Sequence, residues 1–179
     1  MEKHIAFLRA INVGGHTVKM DILKELFEAM GFKKVETFIA SGNVIFESKS
    51  KNIDLIKQKI KRHLEKTLGY KVAAFIRTAD ELKEISEYVP FKQADLSNTK
   101  HSLYIGFLDS EPGKECKKKT IELSNQANEF IFNKKELYWL CRKNFSDSGI
   151  SGKVLERALG QETTIRNSRT IIKMADKFY

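Results

Sequence analysis

Three stretches of this chain hold residue types suited to gripping an anion. In FLRAINVGGHTVKM, residues 7–20, Arg9, Asn12, Gly14, Gly15 and Lys19 stand just ahead of a helical pattern. In a second stretch Ser41, Gly42 and Asn43 separate two β-rich runs. The third, SGISGKVLERALGQETTIRNSRT, carries Lys153, Arg166 and Asn167. A glycine pair lets backbone N–H groups turn outward and approach a ligand without Cβ interference. The helix that follows adds the positive end of its dipole, and Lys19 adds a full charge. Amides, hydroxyl, carboxamide and guanidinium together suit a phosphate or a carboxylate. NVGG nevertheless lacks the lysine and spacing of a P-loop and the third glycine of a dinucleotide fingerprint. The competing reading is local: Gly14 and Gly15 only permit a turn, and Asn12 and Asn43 cap backbone groups.

Catalysis finds less support. Ser41 or Asn43 could orient a substrate, Arg9 or Arg166 could stabilise developing charge, and His16 could exchange protons. No nucleophile–base pair and no paired-carboxylate motif stands out. His4, His63 and His101 have no partners at metal-ligand spacing, and nothing calls for a cofactor.

The elements that must position these residues follow from periodicity. HIAFLRAI (4–11) reads as a strand. DILKELFEAM (21–30) puts Ile22, Leu23, Leu26, Phe27 and Met30 on one helical face, with Gly31 as the stop. VETFIA and NVIFES form a hairpin around Ser41 and Gly42. A helix with Ile53, Ile56, Ile60, Leu64 and Leu68 inward follows, then the strand VAAFIR (72–77). This is a β-α-β-β-α-β order, the ferredoxin-like split pattern. A connecting helix, ADELKEISEY, and a polar loop over 90–101 lead to a partial repeat. Its parts are strand SLYIGFL, helix KECKKKTIELSNQ and hairpin NEFIFN/KELYWLC. Helix GKVLERALG and a last helix from about Arg166 to Phe178 replace the closing strand. The fold expected is therefore α+β, a tandem duplication of ferredoxin-like units with extra C-terminal helices. Residues 1–78 form the first unit and 79–179 a divergent second one packed on it. Several strands are apolar on both faces, so their sheets should be covered on both sides.

In such a sheet the first and third strands are antiparallel neighbours. The 12–15 turn and the 41–43 hairpin should then meet at one rim. The corresponding loop and hairpin of the second half, DSEPGK and NKKE, lack these residues.

Composition narrows the partners. The chain has 179 residues, 32 basic against 23 acidic, for a net charge of +9. That excess raises the chance of a polyanionic partner such as a nucleic acid or nucleotide. Lys57, Lys59, Lys61, Arg62 and Lys66 on one helix and Lys117, Lys118 and Lys119 on another add basic surface. The sheet faces lack the exposed aromatics of RNA-recognition modules, so binding is expected at the rim or the basic helices. Two cysteines cannot build a disulfide framework: Cys141 reads as core and Cys116 as an exposed thiol. No apolar stretch is long enough for a membrane span, and a cytoplasmic protein is expected, its oligomeric state open and a monomer compatible with the sequence.

Taken together, these stretches resemble the bacterial family catalogued as domain of unknown function family 1697. Leu8, Arg9, Ile11, Asn12, Val13, Gly14 and Gly15 match its LRGINVGG-like opening. Ser41, Gly42, Asn43, Val44 and Phe46 match its SGNVxF-like hairpin, and Lys153, Thr164, Arg166, Asn167 and Thr170 its C-terminal segment. Ala10 stands for the usual glycine, Gly152 for a serine and Ser168 for a tryptophan. The resemblance implies a shared fold and no particular activity, and it points to the same rim. The expected function is a binding protein for a phosphate-bearing or other anionic ligand at that rim. The alternatives are a small enzyme acting on a phosphorylated or carboxylated metabolite, and a structural or protein-interaction domain.

Overall fold

The computed structural model of the chain describes residues 1–12 and 15–178. It is a mixed α+β structure with two four-stranded antiparallel sheets and, among the described residues, seven α-helices. The chain separates into two compact units, Met1–Lys83 with Phe178, and Glu84–Lys177. From the sequence, the boundary lay after residue 78.

The first unit runs β1 (Glu2–Leu8), α1 (Met20–Ala29), β2 (Lys33–Phe38), β3 (Asn43–Ser48), α2 (Ile53–Leu68) and β4 (Ala74–Thr78), and α3 (Ala79–Glu87) follows. Its sheet order is β2-β3-β1-β4. Helix α2 shows why these residues form these elements. Asn52 Oδ1 accepts the Leu55 amide at 3.0 Å, satisfying one orphan donor at the N-terminus. Ile56, Ile60 and Leu64, four residues apart, are buried along one stripe. Gly69, at φ 79°, ends the helix in the left-handed conformation. That stripe and Leu23 and Phe27 of α1 pack in a core with Ala6, Val44 and Phe46 of the sheet.

The second unit contains α4 (Gln93–Leu96), β5 (Ser102–Phe107), α5 (Lys114–Ile121), β6 (Asn128–Asn133), β7 (Glu136–Cys141), α6 (Gly152–Leu159), β8 (Thr164–Asn167) and α7 (Ser168–Phe178). Its sheet order is β6-β7-β5-β8. The core is pinned by a buried amide: Trp139 Nε1 donates to Asn128 Oδ1 at 2.9 Å, and Asn128 Nδ2 donates to Ser148 O at 2.8 Å. Burial on both strand faces is realised in β7, where all six residues are buried.

Four expectations need correction. The second half has its closing strand, β8, antiparallel to β5. With four residues and an arginine among them, it presents no apolar run to read. The last helix begins at Ser168, so Arg166 lies in a strand. Residues 90–101 include the short helix α4. Cys116 is half-buried rather than exposed, and Cys141 is buried. Among the described residues, no helix is long and apolar enough to cross a membrane.

Candidate functional site

The β1–β3 pairing carries the first two sequence stretches to one edge. Phe7 lies opposite Asn43, and the Leu8 amide donates to Gly42 O at 2.8 Å. One residue on, the Arg9 amide donates to Ala73 O at 2.9 Å. The carboxamide of Asn12 then ties the two turns together. Its Nδ2 donates to Ala40 O at 2.9 Å, and its Oδ1 accepts the Val18 amide at 2.7 Å. Asn43, fully buried, donates from Nδ2 to Phe38 O at 3.0 Å and to Ser41 Oγ at 2.8 Å. The His16 ring stacks on Tyr70 with centroids 3.8 Å apart.

The backbone here is unusual. Ala10 (φ 65°), Asn12 (57°), Gly15 (88°), Ile39 (51°) and Gly42 (73°) all adopt the left-handed region within these two turns. Such a conformation costs a non-glycine residue about 1–2 kcal/mol. Gly42 also has no room for a side chain, since a Cβ there would lie 2.9 Å from Ile11 Cβ and 3.3 Å from Leu8 Cβ. Ala10, where the resembling family carries glycine, therefore occupies a position that favours glycine.

Of the residues read as ligand-binding, Asn12, Ser41, Gly42 and Asn43 gather at this edge with Arg9 next to Leu8, while Gly15 and Lys19 lie on the segment that leads to α1. Gly14 lies outside the described residues. Arg9 and Ser41 are half-buried, and Lys19 is exposed at the N-cap of α1, where no side chain caps the helix. The carboxamides of Asn12 and Asn43 hold the chain to itself, as the local reading required.

Lys153, Arg166 and Asn167 belong to the second unit. Lys153 is exposed in the first turn of α6. Asn167 Oδ1 accepts the Arg169 amide at 2.9 Å and so caps α7. Arg166 is buried, and its Nη1 donates to Thr164 Oγ1 at 2.8 Å and Ile165 O at 2.9 Å. Desolvation lowers the Arg166 pKa to about 10.

Sequence reading missed the counterpart of Arg166. Arg77 in β4 is 2 % exposed, and its Nη1 donates to Ile76 O at 2.8 Å. Arg77 pairs with Ile5 of β1 as Arg166 pairs with Ile105 of β5. The signal was present as a repeated Ile-Arg, FIRT and TIRN, ahead of a helix in each half.

The basic helices differ in how their charge is met. On α5, Lys117, Lys118 and Lys119 pair with Glu111, Glu122 and Glu115. On α2, Lys57 pairs with Asp54, and Lys59 lies over the Phe32 ring at 5.5 Å. Among the described residues, no group of three or more His, Cys, Asp or Glu side chains is arranged to hold a metal ion.

Comparison with known proteins gives a family match and a structural match. The profile of the family described as protein of unknown function (DUF1697) matches residues 1–138. The conserved bacterial protein SP0830 from Streptococcus pneumoniae shares the fold, with a TM-score of 0.78 and 22% sequence identity. The alignment covers 99% of this chain and 98% of that one. No curated protein matches.

Proposed function

The chain belongs to the family of proteins of unknown function DUF1697, and on that premise we propose that it binds a phosphate-bearing or other anionic ligand at the rim of its first unit. The observation that carries this reading is the concentration of left-handed residues in two turns tied to each other. Backbone strain of this kind persists where the surroundings enforce it, and it clusters at binding sites. Arg9, Lys19 and Ser41 are the side chains assigned to the ligand, with the backbone near Gly15 and Gly42. A nucleotide or a nucleic acid end meets this chemistry, and the net charge of +9 favours either.

The second reading is structural, and the carboxamides of Asn12 and Asn43 favour it. One experiment separates the two. Arg9→Gln and Lys19→Gln are titrated at low salt with a nucleoside triphosphate and with a single-stranded oligonucleotide, alongside thermal melting. Anion binding predicts weaker association in both variants with little change in melting, and an affinity that falls steeply with salt. Absence of saturable binding in the parent protein at low salt leaves the structural reading.

The finer architecture belongs to the same proposal. The two units, 1–78 and 79–179 by sequence, are a tandem duplication of ferredoxin-like folds. Supporting it are the matching strand orders and the paired burial of Arg77 and Arg166. Cytoplasmic residence is part of the reading, and no catalytic step is assigned.

A further inference from the structure

A second feature lies in the other unit and plays no part in the rim: a cavity of about 240 Å³. Its floor is one face of the sheet, with Leu103 and Ile105 of β5 opposite Leu140 and Tyr138 of β7. Ile85, Leu96 and Ile172 extend the apolar wall, and Tyr88 stands against Tyr138 with ring centroids 4.9 Å apart.

The polar lining is Asp95, His101, Ser102, Ser168 and Arg169, with Ser86 and Asn167. Most of it gathers where β5 begins and β8 ends, because Tyr104 and Asn167 are partners in the antiparallel ladder. The charges there are unequal in their freedom. Asp95 is already shared, with Oδ1 3.3 Å from Arg142 Nε and 3.5 Å from His101 Nδ1. Arg169 lines the same cavity, and among the described residues no carboxylate pairs with its guanidinium. Asp95 is committed to Arg142, which Glu129 also holds at 2.6 Å, and the Arg169 guanidinium is the uncommitted charge of this wall, which favours an anion over a cation or a neutral group. The aliphatic and aromatic floor gives a bare inorganic anion nothing in return for its desolvation. The volume falls below the ~300–1,000 Å³ of sites for drug-sized ligands.

We propose that this cavity is a binding site for a small organic acid, one carboxylate on a compact aromatic or branched apolar tail. The carboxylate meets Arg169 and the hydroxyls of Ser102 and Ser168, and the tail lies over Leu103, Ile105 and Tyr138. The site is distinct from the rim and stands or falls without it.

The test is calorimetric titration of the full chain with phenylacetate, phenylacetamide and inorganic phosphate. Phenylacetate is expected to bind with one-to-one stoichiometry, the amide at least about tenfold more weakly, and phosphate not to compete. Arg169→Gln removes an exposed charge and should weaken phenylacetate by about tenfold. Ile172→Trp, at a side chain 44% exposed, should fill the cavity and abolish binding while the melting temperature holds. Arg9→Gln at the rim should leave phenylacetate binding unchanged. No binding of phenylacetate, equal binding of acid and amide, displacement by phosphate, or indifference to both cavity variants each overturns the proposal.

Discussion

After Leu8 the chain spends residues 9–19 before its helix begins, whereas after Leu108 it reaches the next helix through residues 109–113. Both units bind the end of the first strand to the hairpin in the same way, Leu8 N to Gly42 O and Leu108 N to Lys135 O. Beyond that bond they diverge. The first hairpin turns through 39–42 and the second through Lys134 and Lys135 alone. Among the described residues, the first edge holds five left-handed residues and the second only Lys134 at φ 53°. The second loop is held instead by the Gln161 carboxamide, which bonds Ser110 N at 3.3 Å and Ser110 O at 3.0 Å. A common frame of strands thus tolerates either a short, relaxed connection or a long, strained one. Only the long one carries Arg9 and Lys19, and only its hairpin carries Ser41.

Breaking this contrast starts at Gly42. Gly42→Ala combines an unfavourable φ with a clash against Ile11 and Leu8, and should cost about 2–4 kcal/mol in chemical denaturation. Lys134→Ala in the other hairpin should stay within about 0.5 kcal/mol, since its ion pair with Glu84 is exposed. Equal losses would show that the two turns are under the same constraint.

Acid titration sharpens the comparison one strand in. His4 is fully buried, and neither ring nitrogen makes a hydrogen bond of good geometry among the described residues. Desolvation holds its pKa below 6.5, outweighing the pull of Glu2, the Ser50 backbone and Glu81. The unfolded chain then binds the extra proton first. The stability at stake is present above pH 6.5 and is lost as pH falls below it, by at most about 1.4 kcal/mol per pH unit. His4→Phe should flatten the melting temperature between pH 7 and pH 5. The corresponding position in the second sheet is Tyr104, which carries no such proton. An unchanged acid slope in the variant would place the sensitivity elsewhere.

The smallest effect expected is a gain. Ala10→Gly relieves a residue at φ 65° and should stabilise the protein by about 1 kcal/mol. Ser110→Gly, three residues past β5 in the second unit, should instead cost about 0.5–1 kcal/mol through chain entropy. Urea denaturation of both variants reads the difference. A loss at residue 10 would mean that the loop does not favour glycine there.

Legibility varied by element for physical reasons. Helix α2 was plain because a stripe at Ile56, Ile60 and Leu64, an Asn cap and a terminal glycine all agree. Strand β8 was hidden because four residues with an arginine in a buried position do not read as apolar, even though Arg77 and Arg166 repeat. At the rim, residue types were legible, and strand order was enough to bring Asn12 to the turn that precedes Asn43. The direction in which Asn12 and Asn43 spend their hydrogen bonds was not, because a carboxamide serves a ligand or a carbonyl equally well. His101 and Asp95 fell in what read as a polar loop, and nothing local marks them as a cavity wall.

What the sequence determined alone is periodic and local: the burial stripes, the caps, the turns and the excess of positive charge. What only the tertiary structure decided is convergence. Asp95, Ser102, Tyr138 and Arg169 come to one cavity because β5 lies between β7 and β8, and Ala10, Asn12, Ile39 and Gly42 share one strained edge because β1 lies beside β3. Long-range strand pairing sets such neighbours, and its free energy comes from burying whole faces rather than from any property of the residues that meet.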